Sequence, residues 1–320
     1  MLDVISIGSA AQDVFVHIPQ EYFAAKTCVF YPGSKIEIKD MDYFSGGGAT
    51  NTSVAFSRMG LKAGILCALG DDKSASEILA ELKREKVDAR FIPRMKGMKT
   101  PYSVILTGFS RDRIILCYSA TSGMLSKAKI GWKNLRAKWF HISSLHSKPA
   151  LLGKILGHAK KTGARISFNP GSEELKLGVQ GLKRIVGKAG ILFLNNEEAL
   201  KLTGSADVHR NLKKLLELAE IVVITEGKHG SHATNGTSIF SAGIFPVKMI
   251  DVTGAGDAFA SGFASAIIKG RGIEDALVYG TANASSIVTA LGTKNILLSE
   301  KGIKKFLSKH GKLKITKEKL

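Results

Sequence analysis

Acidic side chains are in short supply in this chain of 320 residues: Asp and Glu together number 27, against 46 Lys and Arg, leaving a formal net charge of +19. An excess of that size draws in anions, from nucleotides to nucleic acid. Yet the sequence lacks the marks of a specific nucleic-acid reader: zinc-ligand spacing, an RNA-binding aromatic motif, or one long basic run. The charge is therefore assigned to solubility and to small anionic ligands, and no nucleic-acid partner is expected. Cysteine is scarce too. Cys28, Cys67 and Cys117 are odd in number, far apart and outside any metal-ligand pattern. They are expected to be buried small hydrophobes in a reducing compartment, with the cytoplasm as the expected location. No apolar run reaches the roughly 18–20 residues that a spanning helix needs, so no membrane partner is expected. The N-terminus lacks the basic-then-apolar layout of a signal peptide. Internal repeats and low-complexity linkers are also missing.

What remains is an ordinary globular composition, 44% hydrophobic and 23% charged, with length enough for one large core. The second half alternates strand and helix patterns, with strands at 139–142, 165–168, 191–194 and 221–224 and a helix at 150–161. That alternation marks a mostly parallel α/β sheet flanked by helices. In the first half, residues 2–8 and 61–69 read as strands and 75–86 as a helix opened by a capping box at Ser74 and Glu77. Short alternating pieces at 14–18, 35–38, 102–106 and 113–116 predict a small antiparallel sheet beside the main one, with lid segments at about 14–43 and 99–118. Asn235 and Gly236 signal a hairpin. A single domain over 1–310 is expected, followed by a polar, lysine-rich tail at 311–320.

The chemistry concentrates in Asp251-Val252-Thr253-Gly254-Ala255-Gly256-Asp257. This stretch follows a β-like run at 245–250 and opens a helix of small and apolar residues at 258–268. Glycines at a strand-to-helix turn let backbone approach a ligand, and the first N–H groups of a helix are free donors to an anion. Asp257 in that first turn is placed to take a proton from a hydroxyl attacking a phosphoryl group. An ordinary acidic helix cap would look the same at this one position. A second glycine run, Gly46-Gly47-Gly48, precedes Asn51, whose amide suits a polyhydroxyl ligand or, alternatively, a helix cap. Asp13 lies just past the first strand, as a turn acid or a ligand. His141, alone on a strand, reads as a core residue.

The string from Asp251 to Phe259, continued by Ala260-Ser261-Gly262-Phe263-Ala264, resembles the C-terminal signature of the ribokinase-like (PfkB) carbohydrate kinases. The Gly46–Asn51 run, Asn195 with Glu198, and Thr225 to Gly230 resemble further motifs of that family in the same order, although Leu194 stands where relatives often have Pro. The resemblance spans Gly8 to Gly292. It implies a ribokinase-like fold with a β lid and an ATP-dependent kinase acting on a hydroxyl of a sugar or sugar-like acceptor. It also implies Asp257 as base and Gly254, Ala255 and Gly256 as the anion hole. Asp13, Gly46, Gly47 and Asn51 would meet the acceptor. Asn195, Glu198, Thr225, Gly227 and Asn283 would border the nucleotide, with Glu198 reaching Mg²⁺ through water. Asp251 and Thr253 would hold a monovalent cation such as K⁺, and a homodimer would form through the lid. A nucleoside kinase would use the same helix and stack a base on lid aromatics, for which Phe15, Phe30 and Tyr31 are present. A non-catalytic sugar sensor would lack Asp257 or the glycines. A dinucleotide dehydrogenase is disfavoured because no Gly-x-Gly-x-x-Gly turn follows the first strand.

Overall fold

Aliphatic and β-branched runs with apolar side chains on both faces build the main sheet. In chain order the first elements are β1 (Leu2–Ile7), β2 (Ala11–His17), β3 (Phe23–Ala24), β4 (Thr27–Cys28), β5 (Asp40–Gly46), α1 (Gly48–Arg58), β6 (Ala63–Leu66), α2 (Lys73–Arg84), β7 (Tyr102–Thr107) and β8 (Ile114–Tyr118). Then follow β9 (Ala137–Ile142), α3 (Pro149–Thr162), β10 (Arg165–Phe168), α4 (Ser172–Leu175), α5 (Gly178–Val186), β11 (Ala189–Asn195), α6 (Asn196–Thr203) and α7 (Val208–Leu215). The last are β12 (Ala219–Thr225), β13 (Ser231–Thr234), β14 (Ser238–Ala242), α8 (Ala255–Ile268), α9 (Ile273–Ile287), α10 (Glu300–His310) and β15 (Ile315–Lys319). The structure is a computed structural model describing residues 1–24, 27–108, 113–119, 123–146 and 149–320.

Nine strands form one sheet in the order β15-β14-β13-β12-β11-β10-β9-β1-β6. From β6 to β12 neighbours run parallel, and β13 to β15 are added antiparallel. Side-chain alternation divides the core between the two faces. Ile5, Ile7, Leu192, Leu194, Val222 and Ile224 pack on one side with residues of α3, α5, α6 and α7. Val4, Ile191, Phe193 and Val223 point the other way, onto α8 and α9. His141 is buried on β9 with Nδ1 2.9 Å from Ser167 Oγ, and burial pulls its imidazole down to about 4, so it is a neutral core residue.

The smaller sheet has the order β5-β2-β7-β8. Its outer pairs are antiparallel, whereas β2 and β7 in the middle run parallel. β7 and β8 lie within the expected segment 99–118, whereas β2 begins before residue 14 and β5 runs past residue 43; residues 25–26 and 109–112 of the two segments lie outside the described residues. Residues 35–38, alternating in sequence, form no strand. Likewise 245–250 is not a strand: Pro246 has no N–H to give a ladder, and Phe245 instead packs on Phe306 at 5.1 Å between ring centroids. The cap of α2 is Asp72, whose side chain accepts from Ala75 N at 3.0 Å, rather than Ser74. Of the cysteines only Cys67 is buried; Cys117, on the outer strand of the lid, is exposed, and all three are free.

The polar tail expected at 311–320 is corrected most plainly. Residues Ile315 to Lys319 pair antiparallel with β14 and close the edge of the main sheet. Lysines are no obstacle there, because an edge strand has one side in water and charge deters further pairing. Lys317 also lies over the Phe240 ring at 5.2 Å. Removing residues 312–320 is expected to cost about 1–3 kcal/mol by uncovering β14 and the partly buried Ile315 and Leu320. A thermal melt checks this; an unchanged Tm is what a disordered tail would give.

Candidate active site

Helix α8 is made almost wholly of small and apolar residues and is buried from Ala258 to Ala266. Its N-cap, Gly254, sits in the left-handed region at φ 79°, where L side chains are strained. A Cβ there would also lie 2.9 Å from Thr293 Cβ, so glycine is required twice over. Gly256 is different: its backbone is helical and a Cβ would meet no protein atom within 4 Å. Ala255 donates its N–H to Val252 O at 3.1 Å, which removes it from the expected anion hole. The amides of Gly256 and Asp257 have no protein acceptor among the described residues. With the positive end of the helix behind them, these two are the free anion donors.

Asp257 is held by Asn51, whose Nδ2 donates to Asp257 Oδ2 at 2.8 Å. Asn51 comes from the first turn of α1, and its Oδ1 accepts from Thr293 Oγ1 at 2.7 Å and from Lys294 Nζ at 3.1 Å. The amide oxygen is thus satisfied inside the protein and one N–H holds the carboxylate, which leaves the second N–H of Nδ2 as the only group on this side chain for a substrate hydroxyl. Burial pushes the Asp257 carboxyl above the usual range, while the Asn51 hydrogen bond and the Lys294 charge pull it back. Thr293 and Lys294 went unnoticed in the sequence because a single Thr-Lys pair in an apolar loop carries no motif.

Asp13 lies within β2, not in a turn, opposite Ser103 of β7, to which it is hydrogen-bonded. It is buried, and burial raises its carboxyl, opposed by Ser103 and Lys294. Gly46 exists for this carboxylate, since a Cβ on it would fall 1.8 Å from Asp13 Oδ2. Gly47, at φ 95°, brings its backbone against Ser9, and a Cβ on Gly48 would come 3.7 Å from Asp257 Oδ1. The glycine run therefore packs Asp13, Asn51 and Asp257 around one point at the C-terminal edge of the sheet, where open α/β folds bind ligands.

On the neighbouring strands, Asn195 at the end of β11 stands beside Thr225 at the end of β12. Asn195 Oδ1 accepts from Glu198 N at 2.8 Å, and Glu198 Oε2 accepts from Asn195 N at 2.9 Å. This reciprocal capping box explains the Asn-x-x-Glu spacing structurally. It leaves Asn195 Nδ2 and Glu198 Oε1 for a ligand or a water, and burial raises the Glu198 carboxyl. Gly227 turns at φ 56° just beyond Thr225. Asn283 is withdrawn from the nucleotide set: it is fully buried, donating to Ala258 O at 2.8 Å and accepting from Leu298 N at 2.9 Å. Its atoms tie α9 to α8.

Asp251 Oδ1 accepts from Thr253 N at 3.1 Å, from Thr253 Oγ1 at 2.8 Å and from Arg113 Nη1 at 3.2 Å. Its Oδ2 is buried without a partner among the described residues, and that orphaned oxygen fits a bound cation. Arg113 next to it was read from sequence only as part of a lid strand. No three His, Cys, Asp or Glu side chains converge to hold a metal among the described residues. Magnesium, which keeps waters and favours phosphate oxygens, fits such a site only together with a nucleotide.

The two glycines of the turn are separable by experiment. Gly254→Ala is expected to destabilise by about 1 kcal/mol or more, through φ and Thr293. Gly256→Ala, in a helix with open space, is expected to leave the melt unchanged or slightly raised while slowing phosphate transfer. Unchanged kinetics for Gly256→Ala would show that no phosphate approaches this turn.

The pfkB family carbohydrate kinase model matches residues 1–300 of this chain. A nucleoside kinase of Methanothermobacter thermautotrophicus is 27% identical over 314 residues, covering 97% of each chain. An ATP-dependent ribose-1-phosphate kinase of Halopiger xanaduensis is 25% identical over 291 residues, covering 91% of this chain and 92% of the relative. The crystal structure of the Methanocaldococcus jannaschii nucleoside kinase, an archaeal member of the ribokinase family, superposes with a TM-score of 0.78 at 24% identity over 97% of this chain and 99% of that one. The nine-stranded sheet with its small β lid is thus the ribokinase fold, and the chain belongs to the pfkB family of carbohydrate kinases, phosphotransferases with an alcohol group as acceptor.

Proposed function

We propose that this kinase moves the γ-phosphoryl group of ATP to a primary hydroxyl of a sugar or sugar-like acceptor. The observation that carries the reading is Asp257 in the first turn of α8, next to the unpaired amides of Gly256 and itself. Asp257 takes the hydroxyl proton as the acceptor oxygen attacks the γ-phosphorus and the bond to ADP breaks. The two amides and the helix end stabilise charge on the transferring group. Asp13, acceptor-only when ionised, holds a neighbouring hydroxyl of the acceptor. Glu198 Oε1 and Asn195 face the phosphates through water, with Thr225 and Gly227 along the nucleotide. A Mg²⁺ bound with the nucleotide supplies charge neutralisation on the phosphate oxygens. Asp251 Oδ2 and Thr253 hold a monovalent cation.

A nucleoside acceptor is the second reading, favoured by the nucleoside kinase among the relatives. Of the lid aromatics, Phe15 is buried against Phe44, ring centroids 5.5 Å apart, and is closed to a base. Phe30 and Tyr31 are exposed and serve that role. Residues 1–320 act as one domain, since β15 completes the edge of the main sheet. Met41, Tyr43, Leu116 and Tyr118 are exposed on one face of the small sheet, which supports a homodimer through the lid. Unpaired cysteines agree with a cytoplasmic setting. Among the described residues no helix is long and apolar enough to cross a membrane.

Asp257→Asn is expected to lower kcat by about 10²–10⁴-fold with ATP binding retained. The check is ATP consumption across sugars, sugar phosphates and nucleosides, beside nucleotide titration of the variant. A variant that keeps most of its kcat on the best acceptor would remove Asp257 from the base role.

A further inference from the structure

Lys294 is an unusual residue to bury. It is 4% exposed, in the loop between α9 and α10, and taking an ammonium out of water is costly unless its donors are met. Its Nζ donates to Ser45 O and to Asn51 Oδ1. Arg58 Nη1 clamps the backbone of the same residue, donating to Lys294 O at 2.7 Å. Three carboxylates face it from three elements: Glu81 of α2, Asp13 of β2 and Asp257 of α8, with the like charge of Arg58 of α1 opposing them. Burial pulls the Lys294 ammonium below the usual lysine range, and these carboxylates offset part of that pull.

We propose that Lys294 is the positioning residue of the catalytic base, acting through Asn51. The inference rests on the kinase reading for its consequence but not for its geometry. Ammonium is a donor only, so it accepts no hydrogen bond from an amide. With Lys294 and Thr293 both donating to Oδ1, the Asn51 side chain has one orientation left, its NH₂ towards Asp257. A cation on the amide oxygen also polarises the N–H and strengthens the bond it makes to the carboxylate. The same charge favours the ionised form of Asp257, the form a base must have, against the burial that disfavours it. Lys294 thereby does two things for Asp257: it fixes direction, and it opposes the protonation that burial favours.

The two effects come apart in two variants. Lys294→Met removes both the donor and the charge; Lys294→Gln removes the charge and retains an N–H donor on a side chain one atom shorter. Because the active form is the carboxylate, activity falls as pH falls through the Asp257 titration, and losing the cation moves that acidic limb of kcat/KM to higher pH. The expected shift is about one pH unit in both variants. A drop in kcat of roughly tenfold or more above the limb is expected only for the Met variant. A purely packing role would lower Tm and leave the limb where it is. A readout independent of turnover is the ¹³C-carboxyl titration of Asp257, assigned by its disappearance in Asp257→Asn. It should move up in Lys294→Gln, which retains a polar partner for Ser45 and folds if the Met variant does not. An unmoved titration and an unmoved limb overturn the proposal. If the titration moves but the wild type phosphorylates no acceptor, the kinase reading fails and the coupling stands.

Discussion

One hydrogen bond organises this molecule, the 2.8 Å contact from Asn51 Nδ2 to Asp257 Oδ2 between residues 206 apart in the chain. It joins the first turn of α1, in the N-terminal half, to the first turn of α8, near the C-terminal end. Each turn has its own glycine requirement: Gly46 and Gly47 bring α1 against Asp13 and Ser9, and Gly254 brings α8 against Thr293. Burial makes the bond strong and makes the carboxylate basic. It also threatens to protonate it, and the buried amide, hydroxyl and ammonium around it offset that tendency.

The rest of the fold serves the edge at which these turns meet. Parallel strands from β6 to β12 deliver their C-terminal ends to one side, so the Asp13 lid strand, the glycine turn and the Asn195–Thr225 pair share a rim. Economy is visible there: the same Asn195 and Glu198 that match a ligand motif also cap α6, and each retains one polar group to spare. The basic excess is set apart from this chemistry in part. Lysines from Lys301 to Lys319 are exposed along α10 and the edge strand β15, where like charge guards against edge-to-edge pairing.

Much of this was legible in the sequence, for physical reasons. Strands in a doubly covered sheet must be apolar on both faces, so 191–194 and 221–224 stand out; a glycine turn before an apolar helix with an early Asp is also what a plain helix cap looks like, and it was the longer string from Asp251 to Ala264 that set it apart. Misreadings arise where tertiary context overrides local pattern. Phe245 to Ile250 has strand composition, but Pro246 and the packing of Phe245 on α10 keep it irregular. The lysine-rich end looks solvated, yet an edge strand requires only backbone pairing and a few apolar contacts. Asn283 and Asn51 were both named as ligand-facing; the Asn283 amide is spent inside the protein, and the Asn51 oxygen and one of its N–H groups are engaged there as well. A sequence gives the identity of a polar group but not the partner that consumes it. Lys294 escaped for the same reason, since nothing in Gly292-Thr293-Lys294-Asn295 says that the lysine is buried.

We propose that the transferring phosphate binds at the N-terminus of α8 with the acceptor hydroxyl on Asp257. A crystal structure with a non-hydrolysable ATP analogue, Mg²⁺ and the best acceptor from the substrate screen tests it directly. The γ-phosphate oxygens are expected within hydrogen-bond distance of the Gly256 and Asp257 amides, and the acceptor hydroxyl within about 2.6–3.2 Å of an Asp257 carboxylate oxygen. A γ-phosphate bound away from that turn, or a hydroxyl out of reach of Asp257, would contradict it.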